Sequence, residues 1–312
     1  MINPLHLRTF LVVLRTGSFA EAARSLGYTG SAVSQQVSCL ERSLKMMLFE
    51  RDAHGIRPTP SAGSLAGRAQ DVLAAVASFE DEVKAMSEGN FGQVRLGSFP
   101  TASQQLLPSS LATFARTHAG VGIDLDEGEP ETLVPLLLDR DLDLAIVYHY
   151  DLVPQTWPKA LKAESLMHED LVLLLPPGHR FAGAEISLTD LAKETWVGTG
   201  ERTSGARSLR RACAAAGFEP AVHYRSDDYD VIARFVSSGL GVALVPAMGH
   251  APATEHLPQF VATATITDLS VRRHVVALHA PSTVNPAVDG AVAALRSASA
   301  EAAQRLHGVH LA

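Results

Sequence analysis

Residues 18–42 read SFAEAARSLGYTGSAVSQQVSCLER, and their spacing decides the fold of the first part of the chain. Ser18 and Glu21 stand in the S-x-x-E spacing of a capping box, which predicts a helix over Phe19 to Leu26. Gly27, Tyr28 and Thr29 interrupt it. Thr29 then caps a second helix, in which Val33, Val37, Leu40 and Leu44 recur at the four, three, four spacing of a buried stripe. At about 100° per residue, Ser31, Gln35, Ser38 and Arg42 fall on the opposite side. A small polar face with Gln and Arg suits a helix entering the major groove of DNA, although a plain helical hairpin with a solvated face has the same pattern.

The flanks favour the groove-reading helix. Ahead of it, Leu7, Phe10, Leu11 and Leu14 form one stripe of a helix able to cover both later ones. Behind it comes LFERDAHGIRPTPSAG, residues 48–63, where Gly55, Pro58 and Pro60 favour a turn or ribbon and Arg51, His54 and Arg57 supply cations. Three helices and a basic ribbon make a winged helix-turn-helix, with the wing on phosphates or the adjacent minor groove. The expected DNA contacts are Thr29, Gly30, Ser31, Ser34, Gln35, Ser38 and Arg42 from the helix, with Arg51, His54 and Arg57 from the wing.

In order along the chain stand Phe10, Gly17-Ser18-Phe19, Ala22-Ala23, Leu26, Ala32, Ser34, Leu40-Glu41, Leu48-Phe49, Arg51, Thr59 and Gly63. On these residues the sequence resembles the LysR-type transcriptional regulators. Departures are Gly30 and Ser31, where the family has Gln and Pro, and Lys45, where it has Gly. The operator sequence therefore does not carry over from relatives.

Charge is divided along the chain. The formal total is −7, but residues 1–68 hold 8 Lys+Arg against 4 Asp+Glu, and residues 69–312 hold 18 against 29. A local basic footprint meets phosphates, and the acidic remainder limits nonspecific DNA binding.

From Ser61 one long helical pattern follows, with Leu65, Ala69, Val72, Val76, Phe79, Val83 and Met86 spaced as a heptad seam. Such a seam asks for a partner helix, the alternative being a helix laid on its own domain. Pairing two recognition helices would set a half-site spacing, which favours dimerisation. The expected organisation is a DNA-binding domain over 1–60, a dimerising linker helix over 61–88, a hinge around Gly89 to Gly92, and an effector-binding domain over 92–303.

The hydrophobic content of 46% is ample for a core in that last domain. Its predicted elements alternate as an α/β fold with a parallel sheet. Strands are expected at Val94–Phe99, Val121–Leu125 and Leu142–Tyr148, with helices over Gln105–Thr117 and Glu131–Asp139. The alternation restarts with strands at Leu171–Leu175, Thr195–Gly198, Val222–Arg225 and Val242–Val245, and helices over Ser204–Ala216 and Tyr229–Ser238. A run at Val271–His279 and a helix over Pro286–Ala300 complete it.

The marks Leu107-Pro108, Asp141-Leu142-Asp143-Leu144-Ala145 and Gly239-Leu240-Gly241-Val242-Ala243-Leu244-Val245-Pro246 extend the family resemblance through this part. The resemblance implies a two-lobed, periplasmic-binding-protein-like domain, lobe I being 92–163 with 269–303 and lobe II 164–268. It also implies a homodimer or homotetramer on promoter DNA, with RNA polymerase as a further partner. Ligands of α/β folds sit at strand ends against helix starts. The expected effector contacts are therefore Thr101, Ala102, Ser103 and Tyr148 facing Thr203, Ser204, Asp228 and Pro246. Hydroxyls at helix starts predict a polar effector, with a carboxylate as the favoured class and a neutral ligand as the alternative.

Other functions lack their motifs. Gly198-Thr199-Gly200 and Gly239-Leu240-Gly241 do not complete G-x-G-x-x-G, and there is no G-x-S-x-G elbow, H-E-x-x-H or Walker loop. Cys39 and Cys213 form no zinc or redox spacing, and Ser204 stands where peroxide-sensing relatives carry a reactive cysteine. No enzymatic activity and no cofactor are expected. With no secretory signal pattern and no membrane-length apolar span, the expected location is the cytoplasm.

Overall fold

The structure is a computed structural model describing residues 2–52, 55–88, 92–250, 261–281 and 285–312. It opens with α1 (Pro4–Thr16), α2 (Phe19–Leu26) and α3 (Gly30–Leu44), followed by the antiparallel pair β1 (Phe49–Asp52) and β2 (Gly55–Pro58). Ser18 and Thr29, the caps the sequence calls for, accept backbone N–H bonds at the starts of α2 and α3, and Asn3 does the same at α1. The capping box at Ser18 is half made, because the Glu21 carboxylate turns to Arg24 at 3.6 Å. Phe10, Val13, Ala22, Val33, Val37, Leu40 and Phe49 close one core, so the polar side of α3 is left outside.

The long helix α4 (Pro60–Glu88) starts against this core through Ala62, Leu65, Ala69 and Leu73. Along its seam Val76 is half-buried, while Val72, Phe79 and Val83 are 47%, 66% and 49% exposed. The side chain of Met86 lies outside the described residues.

The remainder runs β3 (Gln93–Ser98), α5 (Pro100–Gln105), α6 (Leu107–Thr117), β4 (Gly122–Glu127), α7 (Pro130–Leu138) and β5 (Leu144–Tyr150). It continues with β6 (Lys162–Leu175), β7 (Glu185–Ile186), β8 (Thr195–Gly198), α8 (Ser204–Ala215), β9 (Ala221–Arg225), α9 (Tyr229–Ser237), β10 (Ala243–Pro246) and α10 (Ala247–His250). β11 (Ala262–Ile266), β12 (Arg272–His279), α11 (Ala287–Arg305) and β13 (Val309–Leu311) end the chain.

The expected parallel sheet is mixed. β3 pairs in parallel with β4 and β5, but β12, returning from lobe II, runs antiparallel to both β5 and β6. The lobe boundary expected at 163/164 falls inside β6: its residues Lys162 to Asp170 pair with β12, and Leu171 to Leu175 with β10 and β11. The polar alternation of KAESLMHED hid that first half, because exposed polar residues break the apolar run of a buried strand. β13 also adds a strand to β6 beyond residue 303, the end expected for the domain. The helix expected over Gln105–Thr117 is α6, with Pro108 in its first turn, and the short α5 ahead of it is an element the sequence spacing does not predict.

α1 and α4 meet the turn that follows α7. Arg8 lies 3.4 Å from Asp141, Arg15 pairs with Asp139, and Gln70 Nε2 donates to the Leu138 carbonyl at 3.3 Å. The other end of α7 starts at Glu129, in the cleft between the lobes.

Candidate functional site

The candidate DNA-facing surface is built from α3 outward. Thr29, Gly30, Ser31, Gln35 and Arg42 are exposed, while Ser34 and Ser38 are half-buried beside the stripe. Two adjacent glutamines separate cleanly: Gln35 points to solvent, and Gln36 accepts a bond from the buried Thr9 hydroxyl of α1. Glu41 fixes the wing to the helix, accepting from Leu48 N at 2.7 Å and Phe49 N at 3.2 Å. In the ribbon Arg57 is exposed and stands in register with Glu50. Arg51 lies in β1, opposite Ile56, and its side chain and the whole of His54 lie outside the described residues. Arg42 donates to Cys39 Sγ at 3.0 Å, which holds the guanidinium along its own helix.

The second site lies between the lobes. Phe99, Pro100, Thr101, Glu129 and Tyr148 face Thr199, Thr203, Gly205, Asp227 and Tyr229, with Arg273 at the crossover. The Arg273 side chain is 1% exposed and is held by Glu169 Oε1 at 2.6 Å and by Thr101, whose Oγ1 accepts from Nη2 at 2.8 Å. Its guanidinium also lies 4.9 Å from the ring centres of Phe99 and Tyr148. The other Glu169 oxygen accepts from Met248 N at 2.7 Å, so one buried ion pair joins β6, β12, α5 and α10.

Tyr148 donates to Glu129. Burial pushes the Glu129 carboxyl above its ordinary value, with Tyr148 and Arg273 opposing and Glu131 and Asp227 adding to the rise. Free space here is about 20 Å³, roughly one water.

The expected effector residues divide accordingly. Thr101, Tyr148 and Thr203 line the cleft, but Thr203 caps α8 and bonds Thr199 at 2.7 Å. Ser204 is buried and bonds Arg207 at 2.9 Å and Glu131 at 3.3 Å. Ser103 Oγ is buried and has no partner among the described residues. Ala102 is packed in the lobe I core, and Pro246 pairs with Leu171 of β6. Asp228 spends its carboxylate on the N–H groups of Asp230 and Val231, while its neighbours Asp227 and Tyr229 reach the cleft.

The expectation of a carboxylate effector loses its support here. Arg273 is the one cation among the lining residues, and it is already neutralised by Glu169, while Glu129 and Asp227 face the same space. Sequence spacing missed Glu129, Glu169 and Arg273, which come together across 144 residues only through the sheet.

Comparison with known proteins bears on both sites. Residues 5–63 match the family described as "Bacterial regulatory helix-turn-helix protein, lysR family", and residues 87–300 match the "LysR substrate binding domain". The chain is 30% identical over 271 residues to the transcriptional dual regulator GltC of Bacillus subtilis, covering 86% of this chain and 88% of that one. Among solved structures it is similar to the C206 mutant of Corynebacterium glutamicum OxyR, at a TM-score of 0.60 and 23% identity over 97% of this chain and 93% of that one. Full-length CbnR complexed with its target DNA gives a TM-score of 0.56 at 21% identity, over 95% of this chain and 99% of the other.

Proposed function

Because the chain belongs to the LysR family of transcriptional regulators, with a DNA-binding helix-turn-helix and an effector-binding domain, we propose how these parts divide the work. α3 enters the major groove with Gln35, Ser31 and Arg42 toward base edges, Thr29, Gly30, Ser34 and Ser38 beside them, and the wing cations Arg51, His54 and Arg57 on phosphates. Two chains pair through the exposed face of α4 around Val72, Phe79 and Val83, as a homodimer or a tetramer of such pairs. The division into 1–60, 61–88 and the two-lobed remainder follows from this assignment.

A small molecule enters the interlobe cleft and biases the lobe arrangement. The lining favours a ligand that donates hydrogen bonds, an amine or a hydroxyl compound, to Glu129 and Asp227. α7 supplies a route outward, since its start is in the cleft and the turn after it touches α1 and α4. Modulation of DNA binding or bending requires the ligand to bind the two arrangements unequally. The protein acts on promoters in the cytoplasm, with RNA polymerase as its partner there and no catalytic step of its own. No described helix is long and apolar enough to cross a membrane.

The observation that carries the DNA-reading assignment is the outward Gln35 beside the inward Gln36. Operator fragments selected from genomic DNA by the purified protein provide the test. Gln35→Ala should weaken binding by about 1 to 3 kcal/mol and relax preference at one base pair per half-site. Unchanged discrimination across single-base operator variants would remove Gln35 from base reading.

A further inference from the structure

We propose that lobe II carries a second small-molecule site, a preformed cavity of about 260 Å³ between α8 and the β8–β9 pair, suited to a compact aromatic ligand whose polar end carries balanced charge. The assignment rests on this cavity's own lining and not on the identity proposed for the cleft ligand.

The inner wall is apolar, formed by Leu209, Val222, Ile232 and Leu244 with the rings of Tyr150 and Tyr229. Benzene fills an apolar cavity of roughly 150 Å³. A space of 260 Å³ therefore admits a body of about ten non-hydrogen atoms, where the interlobe cleft has room for about one water. Two glycines keep it open. A Cβ on Gly198 would stand 3.4 Å from Val222 and 4.0 Å from Leu209, inside the cavity. A Cβ on Gly205 would stand 3.2 Å from the Thr199 hydroxyl and 3.4 Å from that of Tyr150. Neither glycine has a left-handed φ, so their backbones do not demand glycine, and their effect is to leave room. Apolar space left unfilled costs stability, a cost that a ligand removes.

The mouth sets the charge of that ligand. Glu201, Arg210, Glu219 and Arg225 line it, two of each sign. Arg210 faces Glu201 at 3.4 Å, and Arg225 donates to the Thr199 carbonyl at 3.3 Å. A ligand of one charge gains no net attraction from such a mouth, whereas a zwitterion meets both signs. An aromatic α-amino acid combines this end with a body of the right size. Thr199, Gly205 and Tyr229 line both this cavity and the cleft, so its occupant would steady residues on which the cleft is built.

The test uses the full chain and four probes: L-phenylalanine, indole, phenylacetate and phenethylamine. Calorimetric titration should give saturable binding of L-phenylalanine, tighter than either singly charged analogue. Gly198→Leu and Leu209→Trp, which fill the cavity, should each weaken it at least roughly tenfold, while Thr101→Val in the cleft leaves it unchanged. A cooperative thermal transition verifies that each filled variant folds. If one does not, the other decides, together with the anomalous signal of 4-iodo-L-phenylalanine in soaked wild-type crystals. The proposal falls if L-phenylalanine shows no saturation by on the order of 10 mM, if it binds the filled variants as it binds the wild type, or if the iodine sits in the cleft. Tighter binding of phenylacetate or phenethylamine overturns the charge assignment.

Discussion

The recognition helix and the interlobe cleft hold polar groups in opposite ways. On α3 the groups facing outward are exposed, and the neighbouring inward group, Gln36, is bonded within its own domain. In the cleft the polar groups satisfy one another: Arg273 with Glu169 and Thr101, Tyr148 with Glu129, Thr203 with Thr199, Ser204 with Arg207. The first arrangement is ready for an external partner and contributes little to the fold. The second is closed within each lobe, the two lobes meeting where Glu131 accepts from Ser204 and Arg207 at 3.3 Å each, and a ligand must displace or extend an existing network. Substitutions should therefore cost binding in one region and stability in the other.

The largest effect expected is at Arg273. Removing it leaves Glu169, whose side chain is fully buried, without its cation, and breaking such a pair costs about 3 to 5 kcal/mol. Arg273→Ala should lower the thermal midpoint by on the order of 10 °C. Replacing both members, Arg273→Met with Glu169→Leu, should recover most of the loss, because paired removal leaves no orphan charge. A double variant as unstable as the single one would mean that Thr101 and Met248, the other partners of the network, carry the penalty instead.

α4 stands between these two regimes, since its apolar seam is unsatisfied inside the chain as the α3 face is. Phe79 is 66% exposed and would be buried by a partner helix. Phe79→Asp should shift the wild-type assembly toward monomer in sedimentation at micromolar concentration without lowering the stability of the effector domain. An unchanged sedimentation profile would put the subunit interface elsewhere.

Within the DNA-binding part, wing and helix should separate by the kind of loss. Arg57→Ala should weaken all operator sequences together and reduce the salt slope by about one unit, unlike the base-selective loss expected at Gln35. A base-selective effect at Arg57 would instead place the wing against base edges.

What the sequence made legible follows the same division. The caps at Ser18 and Thr29, the stripe through Val33, Val37 and Leu40, and the ribbon between Phe49 and Pro58 are local patterns whose period fixes which side faces out. The cleft is not local. Arg273 and Glu169 meet because β12 runs antiparallel to β6, and Glu169 lies in the polar half of β6, whose alternation does not announce a strand. The hydroxyls at Thr101, Thr203 and Ser204 were visible as residues, but their hydrogen-bond partners were not, and those partners decide which charge the site accepts.

The smallest effect expected is at Lys45, where the sequence departs from the family pattern. Lys45 follows α3 and takes φ 54°, in the left-handed region, with its N–H bonded to the Glu41 and Arg42 carbonyls. The Cβ of a lysine meets a steric cost there that glycine avoids, while glycine gives up more chain entropy on folding. The balance favours glycine by about 0.5 to 1 kcal/mol. Lys45→Gly should raise the denaturant midpoint of the DNA-binding part slightly and leave the operator preference unchanged, since the residue lies past the exposed face formed by Ser31, Gln35 and Arg42. A lower midpoint would show that the Lys45 side chain holds the turn into Met46 and Met47 in place. A changed preference would extend the DNA-reading face to the end of the helix, and the separation of stability from binding would then fail at α3 itself.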